Sequence, residues 1–232
     1  MEYQKFLISS RDKKLILSIL AKIKKDKNKD KIRIISFDYL LKWLDDEERF
    51  LIEKFKNINP LKYGFRGRCL GIYEVPTDLV AIRNQKYEYK GKLKMIDNQY
   101  LPKPVFLAYK KLNFQLRKDT KKNLLIGSGY RSPAYQAVVF LRCLSFRQFN
   151  FRETIKRVAI PGYSEHGFPR KQAIDFMAAG GRSLAERPLD FAKTVEYKWL
   201  IKNADRFGFY LSYPRNNKLG VVFEPWHWRF EG

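Results

Sequence analysis

Only two histidines occur in 232 residues, His166 and His227, and both stand near carboxylates. The first lies in SEHGFPRKQAIDF, with Asp175 downstream; the second lies in FEPWHWRF, three residues after Glu224. Zinc in a hydrolase takes three protein ligands from His, Asp and Glu and leaves a fourth position open for water. Two histidines and one aspartate meet that number, and Glu224 adds a carboxylate that can take a proton from the water. Either fragment alone is weak, because a lone His or Asp is more often structural and ExxH recurs by chance. Their conjunction in a chain this sparing of histidine points to one metal site.

A chain of this length buries a core as one large domain or as a domain with an appendage. A hydrophobic content of 45% excludes disorder as the main state. The formal charge of +23 calls for an anionic partner or surroundings. Nucleic acid, anionic membrane surfaces and anionic cell-wall polymers all meet that demand, since summed charge steers encounters without choosing chemistry. A lysine-rich composition that serves solubility explains the charge as well. The aromatics are not interleaved with basic residues in a nucleic-acid motif, so no nucleic-acid partner is expected.

No apolar run approaches the ~20 residues of a membrane span. LILSILA, Leu15 to Ala21, follows two lysines but is short and leads into AKIKKDK rather than a cleavage site, so it is not read as an export signal. Cys69 and Cys143 lack CxxC spacing and a neighbouring His; two buried thiols are expected in preference to a disulfide.

In chain order, Lys13 to Lys25 has helical apolar spacing, and Lys24 to Lys31 reads as a solvated helix end and loop, with a basic contact strip as the alternative. Ser36 is the expected N-cap of a second helix running to about Lys56, with DDEE at Asp45 to Glu48 as an exposed turn. Asn59, Pro60 and the glycines at 64, 67 and 71 break the pattern, which divides the chain into a helical basic region, 1–70, and a main domain, 71–232. GIYEVPTDLVAI reads as turn and strand, YEYKGKLKMI as a strand pair around Gly91, and Pro104 to Arg117 as helix. LLIGSGYRS reads as a buried strand ending in a Gly-rich turn, and Pro133 opens a further helix. Trp199 to Phe209 reads as a helix ending at Gly208 that supports the strand carrying Glu224.

SGYRSPAYQ, SEH, AIDF, WLIKNADRFGFYLSYP and EPWHWRF, with PTDLV at Pro76 to Val80, together resemble the zinc D-alanyl-D-alanine carboxypeptidases of the vancomycin-resistance type. That family is grouped with L,D-carboxypeptidases and phage L-alanyl-D-glutamate endopeptidases. The likeness covers roughly residues 72 to 232 and leaves the first 70 unmatched.

The resemblance implies an α+β fold of the hedgehog/DD-peptidase type: a small, mostly antiparallel sheet carrying a zinc site, flanked by helices, here with a helical N-terminal appendage. It places one zinc per chain on His166, Asp175 and His227, the general base on Glu224, and the grip on the substrate carboxylate or oxyanion on Arg131 and Gln136. Ser164 falls at a further substrate contact. Structural alternatives are a surface ion pair for Arg131 and a solvent-facing helix position for Gln136. Tyr130, Tyr135, Trp226 and Trp228 are expected to pack rather than to act.

The implied reaction is hydrolysis in the peptidoglycan stem peptide, with release of a terminal D-alanine. An endopeptidase cutting within the stem and a non-catalytic wall-binding module are the alternatives. The implied setting is the bacterial cell envelope, among anionic wall polymers. One departure stands out. The family usually spaces the first His and the Asp as HxxGxAxD, whereas HGFPRKQAID here has eight residues between them, with Lys171 where the glycine falls. This two-residue insertion either bulges outward with both ligands in place or displaces Asp175, and Pro169, Arg170 and Lys171 could equally reshape the mouth of the pocket.

Overall fold

The structure, a computed structural model, describes residues 5–25, 29–169, 171–180 and 188–232. Its helices are α1 (Ser10–Lys24), α2 (Phe37–Leu41), α3 (Asp46–Lys56), α4 (Lys103–Thr120), α5 (Pro133–Phe146), α6 (Phe151–Ile155), α7 (Pro188–Phe191) and α8 (Val195–Asn203). Its strands are β1 (Leu79–Ile82), β2 (Lys86–Tyr89), β3 (Lys92–Met95), β4 (Gln99–Pro102), β5 (Leu124–Ser128), β6 (Ala173–Ala178), β7 (Phe209–Leu211) and β8 (His227–Phe230). The class is the expected α+β.

Two compact units divide the chain. The first comprises Met1–Val75, Arg131–Gly167 and Asn216–Val222. Its core joins Ile16, Ile19 and Ile23 of α1 and Leu51, Ile52 and Phe55 of α3 to Val138, Leu141 and Leu144 of α5. Fully burying one such side chain is worth about 1.5–3 kcal/mol. The helical region expected at 1–70 therefore shares its core with the helix that follows the YRS segment.

Local signals explain the ends of these helices. Ser9 and Asp12 form a reciprocal capping box at the start of α1. The single helix expected from Ser36 to Lys56 is two. Ser36 caps only α2; Asp45 then caps α3, in a capping box with Glu48. DDEE is thus a helix start and not an exposed turn. Glu48 is buried, accepting from Ser18 Oγ at 2.7 Å and from Lys22 Nζ at 2.5 Å. Of the charged strip that begins at Lys24, residues 26–28 lie outside the described residues. Cys69 is exposed and Cys143 half-buried, neither in a disulfide, so the expected pair of buried thiols is corrected at Cys69. Among the described residues no helix is long and apolar enough to cross a membrane.

The second unit comprises Pro76–Tyr130, Phe168–Arg215 and Phe223–Gly232. A four-stranded antiparallel sheet, in the order β5-β6-β8-β7, lies at its centre. Leu112 and Leu116 of α4 and Leu200 of α8 share a core with Ile126, Ile174, Phe176 and Phe209 of the sheet. β1 pairs with β4, and β2 with β3, in separate antiparallel ribbons. The segment expected as a helix from Trp199 ends in a 3-10 turn, Ala204–Phe207, and leads through Gly208 into β7. Glu224 lies in the turn before β8, not in a strand, so α8 and its turn brace β7 and β8 instead.

β5 is an edge strand, and side chains finish its ladder. Gln85 Nε2 donates to Ile126 O at 3.0 Å while its Oε1 accepts from Ile126 N at 2.8 Å. Gln99 Oε1 accepts from Gly129 N at 3.1 Å. Such a two-sided clamp stands in for a neighbouring strand and blunts the edge. Gln85→Ala would leave two fully buried main-chain groups without partners. At ~1–3 kcal/mol each, the expected loss is about 2–6 kcal/mol, read as a lower urea midpoint at unchanged slope.

Candidate metal centre

Asp175 sits at the crossing of three strands. It is the Cα partner of His227 on β8 and of Ser128 on β5, where the register shifts between Ile126 and Ser128. Side chains alternate faces along a strand, and direct antiparallel partners present theirs on one face. That is why AIDF and WHW bring a carboxylate and an imidazole together. His227 Nδ1 lies 2.9 Å from Asp175 Oδ1, with both residues buried.

EPWH is a turn, closed by His227 N donating to Glu224 O at 3.1 Å, with Pro225 in the second position that such turns favour. Trp228 Nε1 donates to Pro225 O at 2.9 Å, and Glu224 N donates to Tyr213 O at 3.1 Å. These bonds hold the Glu224 carboxylate, itself buried, with Oε2 3.9 Å from His227 Nδ1. The Tyr213 ring lies 4.8 Å from the His227 ring. Tyr213 and Ser128 went unremarked in the sequence although both fall within matched runs, SYP and SGYRS. Nothing in their spacing marks them, because they reach the site through sheet register.

The remaining expected residues lie on two short stretches of the helical unit, 131–136 and 164–166. His166 is buried on a 3-10 turn, Glu165–Gly167. Ser164 Oγ accepts from His166 N at 3.3 Å, a local turn that gives the serine of SEH a structural task. His166 O accepts from Arg131 N at 3.1 Å, and a Cβ on Gly167 would come within 2.8 Å of Arg131 O. Glycine at 167 thus lets the histidine turn lie against the arginine backbone. Ser132 caps α5 just after Arg131.

Gln136 is 2% exposed, which corrects the solvent-facing alternative. Its Nε2 donates to Ala159 O at 2.6 Å, and its Oε1 accepts from Arg131 Nη1 at 3.4 Å. The amide orients the guanidinium from behind. Tyr130, Tyr135 and Trp228 are buried as packing residues.

One donor atom from each of His166, Asp175 and His227 lies within 4.8 Å of the others, and all three residues are buried. Ligands ~2.0–2.2 Å from a tetrahedral zinc sit about 3.3–3.6 Å apart, so the donor atoms would draw together by about an ångström around an ion. Two imidazoles and a carboxylate are also the donor types of a catalytic zinc site. The residues present fit the ion.

The longer spacing before Asp175 does not displace it from β6. Lys171 N donates to Phe168 O at 3.1 Å, Phe230 N donates to Gln172 O at 2.9 Å, and Lys171 Nζ pairs with Glu231 Oε1 at 2.7 Å. Arg170 lies outside the described residues. Hydrogen bonds from Lys171 first and Arg229 second hold the Glu231 carboxyl below its ordinary 4.5. A depressed carboxyl contributes stability above its unfolded value and loses it as the pH falls through the folded one. Parent and Glu231→Gln should therefore differ in urea midpoint above about pH 4.5 and converge as the pH drops below the depressed value.

Comparison with known proteins gives a concordant picture. The family model described as VanY, D-alanyl-D-alanine carboxypeptidase, matches residues 98–232. The Bacillus subtilis (strain 168) protein described as "Putative carboxypeptidase YodJ" is 34% identical over 165 residues, 70% of this chain and 56% of YodJ. A D-alanyl-D-alanine carboxypeptidase of Enterococcus faecium is 27% identical over 161 residues, 68% of this chain and 46% of the relative. The chain spans about half the length of these curated relatives. The solved LD-carboxypeptidase LdcB is 32% identical and superposes with a TM-score of 0.53, covering 68% of this chain and 69% of LdcB.

Proposed function

Because the chain belongs to the VanY family of D-alanyl-D-alanine carboxypeptidases, we propose that it is a zinc-dependent hydrolase releasing a terminal D-alanine from the peptidoglycan stem peptide. The observation that carries this reading is the buried group His166, Asp175 and His227, with the Glu224 carboxylate 3.9 Å from His227.

His166, Asp175 and His227 would hold one ion per chain. A zinc bound there supplies a Lewis acid for the scissile carbonyl and makes water acidic enough to ionise near neutral pH. Glu224 takes the proton of the attacking water and returns it to the leaving amine. Arg131, a permanent cation with a planar fork, holds the terminal carboxylate, a contact that would favour a substrate with a free chain end. Gln136 fixes that fork in place. Ser164 keeps a donor and a second lone pair after accepting from His166 N, enough for a further substrate contact. Every residue given a part in the reaction falls within 71–232.

The substrate sets the place of work in the bacterial cell envelope, and the +23 charge suits anionic wall polymers. Incubation with defined stem peptides, followed by mass spectrometry, tests the reading. Loss of one alanine from a pentapeptide stem supports it. Internal cleavage would make the protein an endopeptidase, and no cleavage with zinc loaded would leave a wall-binding module. The likeness to LdcB favours a second reading, release of D-alanine from a tetrapeptide stem, and the same experiment separates the two.

A further inference from the structure

The outward side of α4 carries a pattern that the hydrolytic site does not use. From Pro104 to Lys118 the helix has no acidic residue. Leu107 and Phe114 are exposed on it, the phenylalanine at 72%. The positions three and four residues from Phe114 in both directions are all cations: Lys110, Lys111, Arg117 and Lys118. At 3.6 residues per turn these four share one arc of about 120° with Leu107 and Phe114. Val105, Leu112 and Leu116 lie opposite, in the core against the sheet.

All four cations are exposed, and among the described residues none of them is in an ion pair. Lys110 lies 5.7 Å over the Phe106 ring, a contact that leaves its charge in place. In the helical unit, by contrast, surface cations are matched with acids: Arg11 with Glu47, Lys22 with Glu48 and Lys54 with Asp12. Asp119, the acid that follows this stretch of α4, is turned towards α8. Its carboxylate accepts from Gln115 Nε2 and from Trp199 Nε1, each at 2.8 Å. Lys198, Ile201 and Lys202 are exposed on α8, which covers the same face of the sheet as α4 through Leu200.

We propose that the outward side of α4, with that of α8 beside it, docks on the surface of an anionic lipid bilayer. Lysine and arginine pair with the headgroups there, while apolar side chains set among them reach the acyl boundary. A soluble polyanion would take up the cations but leave Leu107, Phe114 and Ile201 in water. Nucleic acid would find Phe114 alone to stack on. Ile174 and Phe176 of β6 join the core under α4 and α8, so Asp175 between them, with its strand partner His227, faces the other side of the sheet. With α4 on the lipid, these two metal ligands look away from it across a helix about 10–12 Å wide. That is the side from which a stem peptide outside the membrane would arrive, a point that rests on the peptidase reading, whereas the docking itself does not.

Co-sedimentation of the full chain with vesicles tests the proposal, with mixed phosphatidylglycerol and phosphatidylcholine compared against phosphatidylcholine alone. Binding to the anionic vesicles and little to the neutral ones is expected. Lys110→Gln/Lys111→Gln should weaken it roughly tenfold or more, at about fivefold per cation. Phe114→Ser should weaken it about fivefold and leave binding to a soluble glycerol-phosphate oligomer unchanged. Lys14→Gln/Lys24→Gln, which removes as much charge from α1, should cost much less. All these side chains are exposed, so the fold is kept. Hydrolysis of a soluble stem peptide, measured separately, reports on the peptidase reading and not on the docking. No binding to anionic vesicles would overturn the proposal, as would vesicle binding indifferent to Phe114→Ser. Equal losses in the α1 and α4 lysine variants would overturn it by making net charge the cause. Oligomer binding that falls with Phe114→Ser as vesicle binding does would replace the bilayer with a polymer.

Discussion

Glu224→Gln is expected to lower the turnover of a stem peptide by about 10²–10⁴-fold, the usual share of a positioned acid–base group, without loss of metal. The amide keeps the shape and can still take part in hydrogen bonds, but it cannot accept the proton of an attacking water. Glu224 reaches the site through a turn whose main-chain bonds to Tyr213 and His227 do not involve its side chain, so the substitution leaves EPWH in place. KM should change little, because the lost interaction belongs to the transition state. Metal analysis alongside kinetics separates the roles. A fall in bound zinc would make Glu224 a ligand rather than the base, and unchanged turnover would remove it from the chemistry.

Several of these features could be read from the sequence because their signals are local. The candidate ligands His166, Asp175 and His227 stand in two short runs, and strand alternation and register bring Asp175 beside His227. The break between α2 and α3 was also present in the text, as Asp45 three residues before Glu48. It was missed because DDEE reads first as solvated charge, whereas Glu48 is fully buried against Ser18 and Lys22. Burial of Gln136 was hidden for a related reason: its position on α5 looks polar, and only the Ala159 carbonyl explains why an amide is needed there. The Gln85 clamp on Ile126 joins residues 41 positions apart, and no periodicity foretells it. The same is true of the core joining α1 and α3 to α5, which is assembled from segments distant in the chain.

His166→Ala and His227→Ala should each remove zinc and, with it, all measurable hydrolysis. Replacing even an outer-shell partner of a zinc ligand typically costs 10–100-fold in metal affinity, so removing a ligand outright should cost at least about 100-fold. The parent is expected to retain about one zinc per chain after dialysis, and each variant almost none. The two substitutions differ in what else they disturb. At His166 the main-chain bonds to Ser164 and Arg131 survive truncation, so the 3-10 turn that carries it should stay in place. At His227 the change also strips Asp175 of its 2.9 Å partner and Tyr213 of its ring contact, which should lower stability as well. His166→Ala is therefore the cleaner reporter of the ion. A parent that takes up no zinc even when incubated with it would mean that the eight-residue spacing before Asp175 excludes the metal, and hydrolysis would have to be abandoned in favour of wall binding. A variant that loses His166 yet keeps its zinc would show that the ion sits on other ligands, and the assignment of Asp175 and His227 would fall with it.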